Sequence, residues 1–166
     1  MINIVDKQQR YDLYFMHKAQ LAAAMSFAKR LQTGAVLVKN RHSLMDGWNG
    51  TVTNSSNNCE ESCKFCLGTG KLTEDRECHN CGGTGLATND LVLHAEQNLL
   101  MSCAKYGVPT VGATLYITHS PCKTCAKLIA QAGISEVVYS TNYRDTEGLD
   151  FLEDCAIKVR KVDYED

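Results

Sequence analysis

The chain has 166 residues, enough to bury one sizeable core but not to form a second independent domain of ordinary size. Hydrophobic residues make up 44% and charged residues 22%, which excludes a disordered chain. Lys plus Arg is 17 and Asp plus Glu is 19, so the formal net charge of −2 argues against a mainly electrostatic grip on duplex nucleic acid or anionic membrane.

Residues Asp6 to Leu31 contain neither Pro nor Gly, and Leu21, Ala24, Met25, Ala28 and Leu31 recur at helical spacing, so one long helix is predicted there. Gly34 opens an apolar run, Ala35-Val36-Leu37-Val38, that suits a buried strand. Lys39-Asn40-Arg41 reads as a tight turn and His42 to Trp48 as the returning strand, closed by Asn49-Gly50. From Thr51 to Asn89 the chain is rich in Thr, Ser, Asn, Gly and Cys, a stretch too long to stay structureless without an organiser such as a metal. Leu91 to Lys105 reads as a helix ended by Gly107 and Pro109. Strands follow at Ala113–Thr118, Val137–Ser140 and Ile157–Val162, alternating with helices at Cys122–Gln131 and Thr146–Cys155. The order α-β-β-α-β-α-β-α-β implies an α/β sandwich with helices covering a mostly hydrophobic sheet.

Nine cysteines are the strongest compositional signal. No run approaches the roughly 18 apolar residues of a membrane span, and Met1–Arg10 is polar and unlike a signal peptide, so a cytoplasmic chain without a membrane partner is expected. In that setting Cys-x-x-Cys pairs point to metal rather than disulfides.

The chemistry concentrates in His94-Ala95-Glu96 and Pro121-Cys122-Lys123-Thr124-Cys125. Cys122 and Cys125 lie one helical turn apart at a predicted helix N-terminus, whose positive end favours the thiolate. His94, at the start of another helix, supplies a third ligand, leaving the fourth tetrahedral position open as in a catalytic zinc site. Glu96, near that first turn, is placed to take a proton from a water and return it to a leaving amine. Singly, His94 and Glu96 read as ordinary surface or core residues and Cys122/Cys125 as a structural half-site or redox pair. Together they form the H-x-E…P-C-x-x-C signature of zinc deaminases.

A second cluster is an internal repeat: Cys63-Lys64-Phe65-Cys66-Leu67-Gly68-Thr69-Gly70 and Cys78-His79-Asn80-Cys81-Gly82-Gly83-Thr84-Gly85 both read C-x-x-C-x-G-T-G. Cys63, Cys66, Cys78 and Cys81 can give four thiolates to one structural zinc. The repeat resembles the zinc module of DnaJ-type chaperones. Cys59 is an alternative ligand in place of one of the four. His79 reads as exposed, and Cys103 and Cys155 as small apolar core residues. Lys64, Phe65, Lys71 and Arg76 are too few to form a nucleic-acid surface.

From about Thr33 to the C-terminus, apart from the middle insertion, the sequence resembles the cytidine and deoxycytidylate deaminase superfamily, and within it the deoxycytidylate (dCMP) deaminases, bacteriophage members included. The resemblance rests on Gly34-Ala35-Val36-Leu37-Val38, Gly47-Trp48-Asn49-Gly50, Asn58-Cys59, Leu115-Tyr116-Ile117-Thr118, Ala130-Gln131-Ala132-Gly133-Ile134 and Val137-Val138-Tyr139. It departs from the family pattern at Val52, where Pro usually stands, and at Thr33. The resemblance implies a three-layer α-β-α sandwich with a mixed five-stranded sheet, one deaminase domain over 1–166 and a cysteine-rich zinc-binding insertion at about 54–89. It implies hydrolytic deamination of dCMP to dUMP with release of ammonia, supplying dUMP for thymidylate synthesis. His94, Cys122 and Cys125 would hold a zinc that activates water, and Glu96 would be the general acid/base. Asn49, Ala95 and Tyr143 would contact the substrate, and Trp48, Asn49 and Gly50 a regulatory nucleotide. The family also implies dCTP and dTTP as effectors, Mg2+ alongside a nucleotide effector, and a homohexamer. Other readings carried from the sequence are a dual dCMP/dCTP deaminase, a deaminase acting on a base in tRNA or single-stranded DNA, and a scaffold protein whose zinc is structural only.

Overall fold

The computed structural model describes residues 6–164. Their contacts divide into two units: one made of the chain up to Ser26, Gln32–Asn49 and the chain from His94 onward, the other of Phe27–Leu31 and Gly50–Leu93.

The first unit is built on five strands, β1 (Gly34–Lys39), β2 (His42–Trp48), β3 (Thr114–His119), β4 (Glu136–Thr141) and β5 (Lys158–Lys161), with helices α1 (Lys7–Ala23), α2 (Ala95–Tyr106), α3 (Lys123–Gln131) and α4 (Glu147–Asp154). The sheet order is β5-β4-β3-β1-β2. β3, β4 and β5 run parallel, while β1 is antiparallel to both its neighbours, so the sheet is mixed as expected.

Alternation along the strands sends side chains to two faces. Ala35, Leu37, Leu115, Ile117, Val137 and Tyr139 pack with Leu99, Ala126, Ile129 and Leu152 of α2, α3 and α4. Val36, Val38, Tyr116 and Val138 pack with Phe15, Met16 and Ala19 of α1. Both faces are covered, giving the three-layer α-β-α sandwich, and each fully buried Leu or Ile contributes roughly 1.5–3 kcal/mol.

The first helix is shorter than its composition predicts. It ends at Ala23, and its buried stripe is Asp12, Phe15, Met16, Ala19, Ala22 and Ala23. Leu21 and Met25, members of the expected apolar stripe, are 58% and 57% exposed. Beyond Ala23 the backbone tightens, Met25 N–H bonding to Ala22 O and Ser26 N–H to Ala23 O. The N–H groups of Lys29 and Arg30 go to the Glu60 carboxylate at 2.7 and 3.1 Å instead of continuing a helical ladder. Gly34 lets β1 approach α1 so closely that a Cβ would overlap the Ala19 carbonyl oxygen.

The second helix also begins later than expected, at Ala95, because Val92–Leu93 pairs with Gly50–Thr51 as a short antiparallel ladder. Its end is as predicted: Gly107 takes the left-handed conformation and its N–H bonds to Cys103 O. Cys103 lies in the core, whereas Cys155, read as a core residue, is exposed just past the end of α4.

In the second unit Glu60–Ser62 pairs with Leu86–Thr88, and Lys71–Thr73 with Arg76–Glu77. The buried apolar cluster of this unit is four cysteines, Cys63, Cys66, Cys78 and Cys81, with Ala87 against them. Among the described residues no helix is long and apolar enough to cross a membrane.

Candidate metal centre and active site

The proposed catalytic ligands meet where two helices begin. His94 is the N-cap of α2 and Cys122 the N-cap of α3, with nearly identical extended backbones (φ −69°, ψ 161° and φ −70°, ψ 163°). Cys125 follows one turn into α3. His94 Nδ1 lies 3.7 Å from Cys122 Sγ and 3.4 Å from Cys125 Sγ. A tetrahedral zinc with ordinary Zn–N and Zn–S bonds sets nitrogen and sulfur about 3.6 Å apart, so the donor atoms already sit at zinc-binding separations. These three donors would hold a metal and leave one coordination position for water or substrate.

The electrostatics suit a cation. Hydrogen bonds from Cys125 and His94, together with the charge of His94, push the Cys122 thiol down to about 3. The His94 imidazole is raised, chiefly by its bond to Cys122. Cys125 is raised, first by its bond to Cys122 and then by burial, so metal binding releases its proton. Glu96, in the first turn of α2, is 3% exposed, and burial pushes its carboxyl up to about 7. It faces the Cys125 thiol.

The surroundings hold the two ligand loops in place. Gln97 Oε1 accepts the His94 N–H at 2.8 Å. Asn98 Nδ2 donates to the Trp48 carbonyl at 2.8 Å. Ser120, buried before Pro121, donates its N–H to Thr141 O and accepts the Tyr143 N–H on its hydroxyl at 2.7 Å. Gly148 packs so close to Pro121 O that a Cβ would overlap it, which braces the Cys122 loop with the start of α4. Sequence reasoning missed Gln97, Asn98, Ser120 and Gly148. Only Gln97 carried a readable signal, a Gln three residues after a helix cap.

The remaining residues singled out in the sequence occupy varied positions. Asn49 donates its N–H to the Thr33 carbonyl and accepts the Thr33 N–H on Oδ1 at 2.8 Å, so its carboxamide orientation is set. Trp48 ends β2, half-buried. Gly50 belongs to the second unit, paired with Leu93. The Ala95 methyl is buried in the core, leaving only its backbone for a substrate contact. Tyr143 is half-buried, with the Arg144 guanidinium 5.4 Å above its ring.

The cysteine repeat forms a pseudo-symmetric pair of knuckles. Cys63 and Cys78 sulfurs are 3.8 Å apart and Cys66 and Cys81 sulfurs 3.7 Å, against about 3.8 Å for two thiolates on one tetrahedral zinc. Gly70 N–H points to Cys66 Sγ and Gly85 N–H to Cys81 Sγ, both at 3.3 Å. Cys63 N–H bonds to Gly85 O and Cys78 N–H to Gly70 O, both at 2.8 Å, so each knuckle closes on the other. Asn80 donates to Cys63 Sγ at 3.4 Å and is the chief cause that lowers its thiol to about 6, while burial raises Cys78 to about 11. Cys59 stands outside this cluster, its thiol against Asn57 O. His79 is exposed and meets the edge of Phe65.

The family model described as "Cytidine and deoxycytidylate deaminase zinc-binding region" matches residues 9–141. The chain belongs to this family. It is a zinc-dependent deaminase chain by that membership, and the His94, Cys122 and Cys125 donor set fits the metal. It is 31% identical to ComE operon protein 2 of Bacillus subtilis over 157 residues, covering 94% of this chain and 73% of that protein. It is 36% identical to the deoxycytidylate deaminase of Saccharomyces cerevisiae over 155 residues, 93% of this chain and 45% of that enzyme. The dCMP deaminase of cyanophage S-TIM5, solved in complex with dCMP and dUMP, superposes with a TM-score of 0.73 at 36% identity, over 95% of this chain and 99% of that one.

Proposed function

We propose that the protein hydrolyses dCMP to dUMP and ammonia. The observation that carries this reading is the three-donor set with the buried Glu96 carboxylate beside it. It occurs in a chain similar over 95% of its length to an enzyme solved with dCMP and dUMP. His94, Cys122 and Cys125 would hold the zinc, which when bound lowers the pKa of a coordinated water toward neutrality. Glu96 removes a proton from the attacking water, delivers it to N3 of the cytosine ring, and then carries a second proton to the departing amine. The low-dielectric site around Glu96 keeps that carboxyl able to both hold and release a proton. Asn49, the Ala95 backbone and Tyr143 orient the nucleotide, and Arg144 beside Tyr143 is a candidate for its phosphate.

We read residues 1–166 as one deaminase domain carrying a zinc-binding insertion, in which Cys63, Cys66, Cys78 and Cys81 hold a second, structural zinc. The insertion's buried cluster is those four cysteines, so metal binding would supply its folding free energy. Trp48, Asn49 and Gly50 are proposed to meet a dCTP or dTTP effector with Mg2+, in a homohexamer. Its place of action is proposed to be the cytoplasm, a compartment that keeps all nine thiols reduced.

The test is a direct assay of zinc-loaded protein with dCMP, following the ultraviolet change and ammonia release, beside deoxycytidine, CMP, dCTP and a Glu96→Gln variant. Turnover of dCMP that falls by at least a hundredfold in E96Q, with zinc content and thermal melting unchanged, supports the reading. Absence of turnover on any free cytosine nucleotide by zinc-replete wild type overturns it.

A further inference from the structure

The metal centre lies beyond the carboxyl ends of β3 and β4. At the other end of those strands a cavity of about 160 Å³ opens between α1, the β1–β2 turn and the first residues of β3 and β4. None of the catalytic residues lines it.

Its charge is unbalanced. Lys39, at the end of β1, and Arg41, in the turn that follows it, both line it. The Arg41 guanidinium lies over the Tyr11 ring, 5.1 Å from its centroid, a cation–π contact that uses none of its N–H groups as hydrogen-bond donors. Lys39 Nζ donates to the Val111 carbonyl at 2.8 Å, a neutral acceptor. Among the described residues neither cation is in an ion pair. The wall also contains a carboxylate, Glu136, but its charge is already matched: Arg160 Nε at 2.6 Å and Lys158 Nζ at 3.1 Å meet Oε1, and the Thr114 hydroxyl reaches Oε2 at 3.3 Å. Two cations with no carboxylate of their own, facing one concavity, make a site for an anion.

Size limits the class of anion. Sites that enclose an organic ligand run to roughly 300–1,000 Å³. A cavity only about half the size of the smallest of these admits a tetrahedral oxyanion and leaves any larger group outside. We propose that this cavity is a phosphoryl-binding site, with Arg41 and Lys39 as its charged donors, separate from the catalytic centre. The phosphoryl group can be free inorganic phosphate or the phosphate end of a nucleotide whose base stays in solvent.

The test uses the zinc-loaded full chain at constant ionic strength, titrated with inorganic phosphate and, in parallel, with dAMP. Amide shifts of Asn40, Gly112 and Thr114 are followed by nuclear magnetic resonance. Saturable shifts at these amides, weakened at least tenfold in K39A/R41A and less in R41K, support the site. If dAMP saturates them at tenfold lower concentration the source is a nucleotide, and if inorganic phosphate is at least as tight the source is the free ion. The proposal is overturned by shifts linear in phosphate, by shifts unchanged in K39A/R41A, by shifts confined to amides near His94 and Cys122, or by a response to dAMP alone. Unchanged dCMP turnover and melting temperature in K39A/R41A would confirm that the variant folds.

Discussion

Replacing Arg160 with Ala should destabilise the first unit by about 2–3 kcal/mol. Arg160 on β5 donates to both oxygens of Asp12 on α1, at 2.7 and 3.0 Å, and through Nε to Glu136 at 2.6 Å. Asp12 is 4% exposed and also accepts from the Tyr116 hydroxyl at 2.7 Å and from Gln8 at 3.0 Å. Stripping one partner from a buried ion pair costs about 3–5 kcal/mol. The Arg160 side chain is 24% exposed, and Tyr116 and Gln8 go on donating after the change, so the loss falls below that range. Asp12→Asn should cost about 1–2 kcal/mol, and the double variant should show a coupling energy of about 1.5 kcal/mol. Urea unfolding of zinc-loaded protein at pH 7.5, followed by the fluorescence of Trp48, measures all four corners of the cycle. A coupling below about 0.5 kcal/mol would mean that solvent screens the pair as it does a surface ion pair, and the reasoning would fail. Acid provides a second check. Burial raises the Asp12 carboxyl, but the bonds from Arg160, Tyr116 and Gln8 outweigh it and hold it below its ordinary value. Its contribution is therefore complete above a pH of about 4 and is lost as the pH falls through the folded value. Without Arg160 the carboxyl protonates more readily, so the gap between wild type and Arg160→Ala should narrow toward acid.

Gly148→Ala places a Cβ on the Pro121 carbonyl and should push the Cys122 loop outward. The expected result is at least tenfold weaker zinc retention against a chromogenic chelator, and equal retention would refute the bracing role. Ser120→Ala removes the hydroxyl that accepts Tyr143 N–H. A hydrogen bond worth about 1 kcal/mol predicts a roughly fivefold rise in KM for dCMP with kcat and zinc content kept, and a fall in kcat alone would count against it. Cys66→Ser with Cys81→Ser should lower bound zinc from two ions per chain to one and open the 50–93 segment to protease. An unchanged metal count would refute the knuckle assignment.

The parts of this molecule that could be read from its sequence are those whose determinants are local. Val36, Leu37, Leu115, Ile117, Val137 and Val138 announce buried strands because each run is apolar on both faces and bounded by turn residues. The candidate metal donors are legible because a soft cation needs thiolates one helical turn apart, and a repeated C-x-x-C-x-G-T-G leaves few other uses for its glycines. Periodicity failed at the end of α1 for a physical reason: it reports which residues are apolar, not which face is covered. Leu21 and Met25 keep the helical spacing yet stay exposed, because the close approach of Gly34 selects the Ala19–Ala23 face. The start of α2 is not legible in the sequence because Leu91, Val92 and Leu93 fit a helix and a strand equally well, and only pairing of Val92 and Leu93 with Thr51 and Gly50 decides between them. Asn98 and Ser120 act on partners 50 and 23 residues away. A single polar residue carries no pattern that reveals such a partner. The proposed chemistry therefore sits on local signals, two helix N-caps and the residues of their first turns. The accuracy with which those caps face each other is set by contacts that only the folded chain brings together.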